Sequence, residues 1–312
     1  MSIEHRGGTS ALARAKAVYR GRIAPTPTGW LHLGHARTFW TAHSRARLRG
    51  GALVYRNEDL DQARCKREFL AAALEDLRWL GLSWEEGPDC GGRFGLYDLF
   101  KRREAYNESF ARLKAIGAVY PCGCSRQDVA RALNAPHIGE EEPVYPGLCR
   151  PKRVKSSTGD PASEALPGTH CWRFRVPDGE RVCFEDGGLG SQSFVAGRDF
   201  GDFVVWTRDG IASYQLAVVT DDALMEITEV VRGADLLVST ARQLLLYQAL
   251  GWPVPAFFHC PLVTDAKGAR LAKRSDALSI RELRAGGATP EGIRHLWETS
   301  LKVNQPTNRQ GG

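Results

Sequence analysis

The chain has 312 residues, 43% of them hydrophobic and 25% charged, with a formal net charge of +6. This is the balance of a globular protein with room for one large domain or two modest ones. No apolar run reaches the roughly 18 residues of a membrane span, and the first twenty residues lack the apolar centre of a secretory signal, so a cytoplasmic protein with no membrane partner is expected.

Residues 1 to 19 read as a basic N-terminal arm, and the ordered part is expected to begin with a short strand at Arg22 to Ala24, ended by Pro25 and Pro27. A helix is predicted from Leu33 to Leu48 and closed by Gly50 and Gly51; "ALVYRNED" then reads as a buried strand ending in carboxylates. Further helices are predicted from about Ala63 to Leu80 and from about Leu99 to Ile116. Such alternation predicts an α/β fold with a parallel sheet and a ligand beyond the carboxyl ends of the strands. Residues 20 to 119 would form its first half, residues 120 to 185 an inserted subdomain, and residues 186 to 260 its second half, where "ASYQLAVVTDDALMEITEVVRGADLLVSTARQLLLYQALG" reads as an apolar strand followed by an amphipathic helix. Residues 261 to 312 would carry a loop and a helical tail.

Basic residues cluster at Arg45, Arg47 and Arg49, at Lys101 to Arg103, and at Arg150, Lys152, Arg153 and Lys155. Charge alone leaves two readings open, a polyanion-binding face and a solvated surface.

The stretch "RIAPTPTGWLHLGHARTFW" holds the first chemistry. Gly29 and Gly34 have the spacing of a phosphate-binding P-loop, but His35 and Ala36 stand where its lysine and hydroxyl belong, which excludes that reading. What remains is His32, Gly34 and His35 at a helix N-terminus, where backbone amides favour an anion and an imidazole can donate to a phosphoryl oxygen.

This stretch resembles the signature of class I aminoacyl-tRNA synthetases of the glutamyl and glutaminyl branch. "YRNEDLD", "SYQLAVVTDD" and "ITEVVRGADLL" resemble that branch's later motifs in order, and "GARLAKRS" resembles its KMSKS loop, so the resemblance spans roughly residues 20 to 280. It implies a Rossmann-like catalytic domain in which an amino-acid carboxylate attacks the α-phosphate of ATP, with Mg2+ accompanying the nucleotide, before acyl transfer to a tRNA hydroxyl. By the same resemblance His32, His35 and Lys273 are catalytic, and Gly34, Arg270 and Leu271 join them around ATP. Arg270 and Ala272 stand where a lysine and a serine are usual in that loop. Arg22, Thr26, Glu58, Tyr214 and Arg232 match the glutamate-binding positions; two guanidiniums and one carboxylate suit a dicarboxylate that bears one ammonium.

Eight cysteines without a secretory signal argue against a disulfide framework. Cys122, Cys124 and Cys149 are close enough in sequence for a structural Zn2+ site, while Cys65, Cys90, Cys171, Cys183 and Cys260 are scattered and read as inert. Tyr145 and His137 are the two candidates for a fourth ligand; the spacing Cys-x-Cys then Tyr-x-x-x-Cys resembles that of the short glutamyl-type enzymes, which implies Tyr145.

The sequence stops at Gly312, where full-length glutamyl enzymes continue into a helical anticodon-binding domain, so no such domain is expected. This architecture resembles the glutamyl-queuosine tRNA(Asp) synthetases, which implies that the acceptor is the anticodon arm of tRNA(Asp) carrying queuosine and that glutamate activation needs no tRNA. Val218, where full-length enzymes usually carry asparagine, agrees. Within "YDLFKRREAY" the family's Tyr97, Arg102 and Tyr106 are kept, but Leu99 and Phe100 replace a glutamine and a serine. A conventional enzyme charging a tRNA 3′ end and an idle zinc-containing RNA-binding protein remain the alternatives; a monomer is the working expectation.

Overall fold

Short strands rich in β-branched and aromatic residues build the centre of the molecule. The computed structural model describes residues 2–3, 18–125, 144–151, 169–262 and 279–303, with side chains for those from 18 to 297. Strand β1 is Ser2–Ile3, β2 is Arg20–Ile23 and β3 is Ala52–Tyr55, with helix α1, Leu33–Leu48, between the last two. Helices α2 (Arg67–Trp79) and α3 (Arg103–Ala115) lead to β4, Val119–Cys122. Strands β5 (Cys171–Phe174), β6 (Arg181–Asp186), β7 (Gly190–Val195) and β8 (Phe203–Trp206) come next. Helix α4 (Tyr214–Leu224), β9 (Glu229–Gly233), α5 (Leu237–Leu250), β10 (Ala256–Cys260), α6 (Ile280–Ala285) and α7 (Pro290–Val303) complete the order.

Strands β6, β10 and β9 pair in parallel; β1 joins the same edge of β6 as β10, at its other end, and β7 returns antiparallel along the opposite edge. Strands β2 and β3 form a second parallel pair. The amide of Thr228 donates to the Arg20 carbonyl at 2.9 Å and the amide of Arg20 to Thr228 Oγ1 at 2.9 Å, which sets β2 beside β9.

Alternation along the strands divides the apolar side chains between two faces. Ile23, Leu53, Tyr55 and Val231 pack with Phe39 of α1 and Leu77 of α2, whereas Val54 and Val230 pack with Leu113, Leu216 and Leu244 of the helices opposite. Helices cover both faces, as a buried parallel sheet requires. A separate antiparallel sheet, β4-β5-β8, carries the cysteines.

The helices expected from Leu33 and Leu99 are present, the second entered through a 3₁₀ turn at Leu99–Arg102. One element differs: the apolar stretch from Tyr214 to Leu224, expected as a strand, is helix α4, and the strand of that region is Glu229–Gly233. Every residue from Gln215 to Asp222 is buried, so no polar face exposes a helical period, and a short continuous apolar run cannot be distinguished from a buried strand by pattern alone.

Much of the clustered positive charge is consumed inside the molecule. Arg45 and Arg49 both bind Glu229, Arg102 binds Asp221 at 2.6 Å, and Arg150 pairs with Asp178 and Asp202. Arg47 and Lys101 pair with Glu85 and Asp98 nearer the surface. Lys152, Arg153 and Lys155 lie outside the described residues. No helix among the described residues is long and apolar enough to cross a membrane.

Candidate active site

Helix α1 begins with an unusual cap. His32, in extended backbone conformation, accepts from the Gly34 amide through Nδ1 at 3.1 Å, and its own amide donates to His35 Nδ1 at 3.3 Å. A reciprocal cap normally uses a hydroxyl and a carboxylate; here two imidazoles supply both acceptors. Because each Nδ1 accepts, each neutral ring carries its proton on Nε2, which leaves two N–H donors. Burial holds the His35 pKa down to about 3 and also lowers that of His32, so both rings are neutral at physiological pH. The rings stack with centroids 3.7 Å apart. A Cβ at position 34 would lie 3.0 Å from His32 Cε1, so glycine there makes room for the ring itself.

The histidines open onto a cavity of about 680 Å³, within the usual range for small-molecule sites. Its lining includes Arg22, Thr26, His32, Gly34, His35, Glu58, Tyr214 and Arg232, so eight of the residues singled out in the sequence converge on one space. Arg270, Leu271 and Lys273 lie outside the described residues. The chain beyond them returns to the same place: the Ile280 amide donates to the Leu31 carbonyl at 2.7 Å, and Ser279 bridges to His32.

Arg22, on β2, donates through Nη1 to the Val231 carbonyl at 2.8 Å and lies 3.6 Å from Asp222. Asp222 also takes a 2.8 Å ion pair from Arg56, which is fully buried and reaches Glu58 at 3.4 Å. Burial raises the Glu58 pKa, against the pull of Arg56 and Arg22. Burial also pushes Tyr214 up to about 12, so its phenol stays a donor. Arg232 is buried and bonds Thr240 Oγ1 at 2.5 Å and His259 Nε2 at 3.3 Å; its Nη1 has no hydrogen-bond partner among the described residues. Substrate carboxylates could therefore meet guanidiniums whose orientation the fold has already fixed.

Sequence reasoning passed over three groups here. Asp222 was visible only as part of a motif, although it ties Arg22 to Arg56. Asp235 lines the cavity, and its charge raises the His32 pKa against burial. His259 carries no motif at all, and only the pairing of β10 with β9 puts it beside Arg232. The weak motif "YDLFKRREAY" proves structural: Tyr97 binds Glu86, Arg102 and Tyr106 both bind Asp221, and Leu99 is in the core. Phe100 remains 44% exposed.

At the end of β4, the ligand atoms of Cys122, Cys124 and Cys149 lie within 4.8 Å of one another. Tyr145 Oη is 3.4 Å from Cys122 Sγ and 3.6 Å from Cys124 Sγ, and Cys124 and Cys149 are 3.4 Å apart. A tetrahedral zinc ion spaces its sulfur ligands about 3.8 Å apart and a sulfur from an oxygen about 3.5 Å. Three sulfurs within 4.8 Å of one another and the Tyr145 oxygen make a donor set of the right number and chemistry for such an ion, which would draw them to its own spacing. His137 lies outside the described residues.

The surroundings suit anionic ligands. Hydrogen bonding from Cys171, and then from Tyr145 and Arg173, outweighs burial and holds the Cys122 thiol well below the ordinary thiol range. Arg173 donates through Nε to Cys122 at 3.4 Å and lies 3.8 Å over the Tyr145 ring. Gly201 lets the Tyr145 backbone come close, since a Cβ there would sit 2.8 Å from its N and O atoms. Cys171, read as an isolated inert residue, is paired in register with Cys122 and packs against the cluster, because β5 returns antiparallel beside β4.

Residues 18 to 297 match the model of the family described as tRNA synthetases class I (E and Q), catalytic domain. The chain is 49% identical over 291 residues to a glutamyl-Q tRNA(Asp) synthetase of Symbiobacterium thermophilum, covering 92% of this chain and 88% of that protein. A glutamyl-Q tRNA(Asp) synthetase of Nitratidesulfovibrio vulgaris is 44% identical over 274 residues, covering 88% of this chain and 83% of the relative. Among solved structures, the glutamate tRNA ligase of Elizabethkingia meningosepticum in complex with its amino acid superposes with a TM-score of 0.71 at 28% identity over 86% of this chain. This chain spans about half of that ligase, 53% of its length. The ordered motifs, the α/β architecture with its parallel sheet and the match over residues 18 to 297 agree: the chain belongs to the class I tRNA synthetases of the glutamyl and glutaminyl type.

Proposed function

We propose that this chain activates L-glutamate with ATP and transfers the glutamyl group to the queuosine base at the wobble position of tRNA(Asp). The observation that carries the chemistry is the shared cavity: two oriented guanidiniums and a buried carboxylate beside two Nε2–H imidazoles. The acceptor follows from the likeness to the two glutamyl-Q tRNA(Asp) synthetases over most of both chains.

In this reading Arg22 and Arg232 bind the two carboxylates of glutamate, and Glu58 and Tyr214 face its ammonium. An oxygen of the α-carboxylate attacks the α-phosphorus of ATP, the bond to the bridging oxygen breaks, and pyrophosphate leaves. His32 and His35 donate from Nε2 to phosphoryl oxygens as charge develops, and Lys273 neutralises the leaving pyrophosphate. Mg2+ carried by the nucleotide would offset part of the phosphate charge. A tRNA hydroxyl on the queuosine base then attacks the acyl carbonyl, giving up its proton as AMP leaves.

Cys122, Cys124, Tyr145 and Cys149 hold one structural zinc ion, which fixes the end of β4 to the segment 144–151 and stabilises an inserted subdomain that meets the tRNA. The protein works in the cytoplasm as a monomer.

The test is transfer of labelled glutamate to tRNA(Asp) with and without queuosine, followed by nuclease digestion. Label on the queuosine nucleoside is expected; label on the 3′ adenosine would replace this reading with conventional charging.

A further inference from the structure

Three neighbouring parallel strands place a second set of polar groups behind the cavity. Asp186 ends β6, His259 is on β10, and Arg232 on β9 is the Cα partner of His259 in the ladder. Asp186 and His259 are both buried, as is Thr240 of α5. We propose that Asp186, His259 and Thr240 form a positioning relay that holds Arg232 in the orientation for binding a substrate carboxylate, and so sets the affinity for glutamate. The proposal rests on the reading of Arg232 as a glutamate-binding residue.

The hydrogen bonds fix the tautomer of His259, while the single proton of the Thr240 hydroxyl has two acceptors in reach, His259 Nε2 at 2.9 Å and the Leu236 carbonyl at 3.2 Å. Asp186 accepts from the amides of Gly188 and Leu189 at 2.9 Å and of His259 at 3.1 Å, which holds it as a carboxylate. His259 Nδ1 lies 2.6 Å from the same carboxylate and must donate to it. Its Nε2 is then an acceptor, 2.9 Å from Thr240 Oγ1 and 3.3 Å from Arg232 Nε. Thr240 Oγ1 in turn accepts from Arg232 Nη2 at 2.5 Å. Two of the three guanidinium nitrogens are thereby fixed, and Nη1, on a side chain that lines the cavity, is left without a partner among the described residues.

The choice of acceptor has a physical consequence. A carboxylate against Arg232 would neutralise the guanidinium and weaken its attraction for a substrate carboxylate. A neutral imidazole orients the same donors and leaves their charge in place. Gly188 permits the close approach on which the relay depends, since a Cβ there would fall 2.4 Å from the His259 carbonyl oxygen. Because Thr240 and His259 stand behind Arg232 and do not line the cavity, they act through it.

The experiment is glutamate-dependent ATP–pyrophosphate exchange in Thr240→Val, Thr240→Ser and His259→Gln, with KM for glutamate and for ATP measured separately. Thr240→Val should raise the glutamate KM about tenfold, leave the ATP KM and kcat within about twofold, and be rescued by Thr240→Ser, which keeps the hydroxyl. A glutamate KM unchanged in Thr240→Val, or an equal rise in both KM values, would overturn the relay. A second measurement needs no variant and no substrate: the ¹⁵N imidazole spectrum of His259 in the intact protein should show Nδ1 protonated and Nε2 bare at neutral pH. A proton on Nε2 sinks the relay whatever the substrate is. Absence of glutamate exchange in the unaltered protein, by contrast, sinks the glutamate reading and with it the claim on affinity.

Discussion

In the cavity, guanidiniums and imidazoles are fixed by partners that the fold itself supplies; in the cysteine cluster, three thiols and a phenol crowd one another, and no group among the described residues neutralises them all. Arg22 is held by the Val231 carbonyl and Asp222, and the His32 and His35 rings by the backbone amides of Gly34 and His32. Cys122, Cys124, Cys149 and Tyr145 are held chiefly by mutual contacts, with Arg173 the one nearby cation among the described contacts of Cys122. The cavity is therefore preorganised by folding, whereas the cluster, in the proposed reading, is organised by the zinc ion it would bind. Damage to the first should appear in kinetics, and damage to the second in stability and metal content.

The largest expected effect breaks the cavity side of this comparison. Arg22→Ala removes a buried cation and leaves Asp222 short of one partner, so kcat/KM for glutamate should fall about a thousandfold, with a melting temperature lowered by only a few degrees. Kinetics indistinguishable from the unaltered protein would remove Arg22 from the pocket. Next comes the cluster. Cys122→Ser should reduce zinc from about one equivalent to under half and lower the melting temperature by about 5 °C, while the glutamate KM stays within about threefold. Metal content near zero in the unaltered protein, purified without chelators, would show that the thiols have a different role.

A smaller effect sharpens the contrast with a purely structural charge site. Glu229 accepts from Arg45, Arg49 and Tyr19 and does not line the cavity, and Glu229→Gln should cost about 2 kcal/mol of stability with exchange kinetics unchanged. Burial raises the pKa of this carboxyl, but the bonds from Arg45, Tyr19 and Arg49 outweigh it and hold the pKa below the ordinary value. A folded pKa below the unfolded one means that this stability is fully present above the unfolded value of about 4.3 and is lost as pH falls through the lower folded value. Melts across that acid range should converge for Glu229→Gln and the unaltered protein; a gap that stays constant with pH would contradict the linkage.

Legibility in the sequence followed the same division. The signature from Arg22 to His35 is local and chemically dense, so its residues could be named before any strand was placed. Cys122, Cys124 and Cys149 were legible for the same reason, whereas Tyr145 was preferred to His137 only through the family resemblance. Cys171 was not, because only an antiparallel pairing across 49 positions brings it to Cys122. The Asp186–His259 pair spans 73 positions and depends on the order of the strands. Helix α4 was misread because burial on all sides erased the period that tells a helix from a strand.

Glutamate-dependent ATP–pyrophosphate exchange in the complete absence of tRNA is the most direct test of the preorganised cavity. The account predicts exchange with glutamate and none above background with glutamine, because two fixed guanidiniums and one buried carboxylate match a dicarboxylate with a single ammonium. Silence with glutamate, or equal exchange with both amino acids, would contradict it.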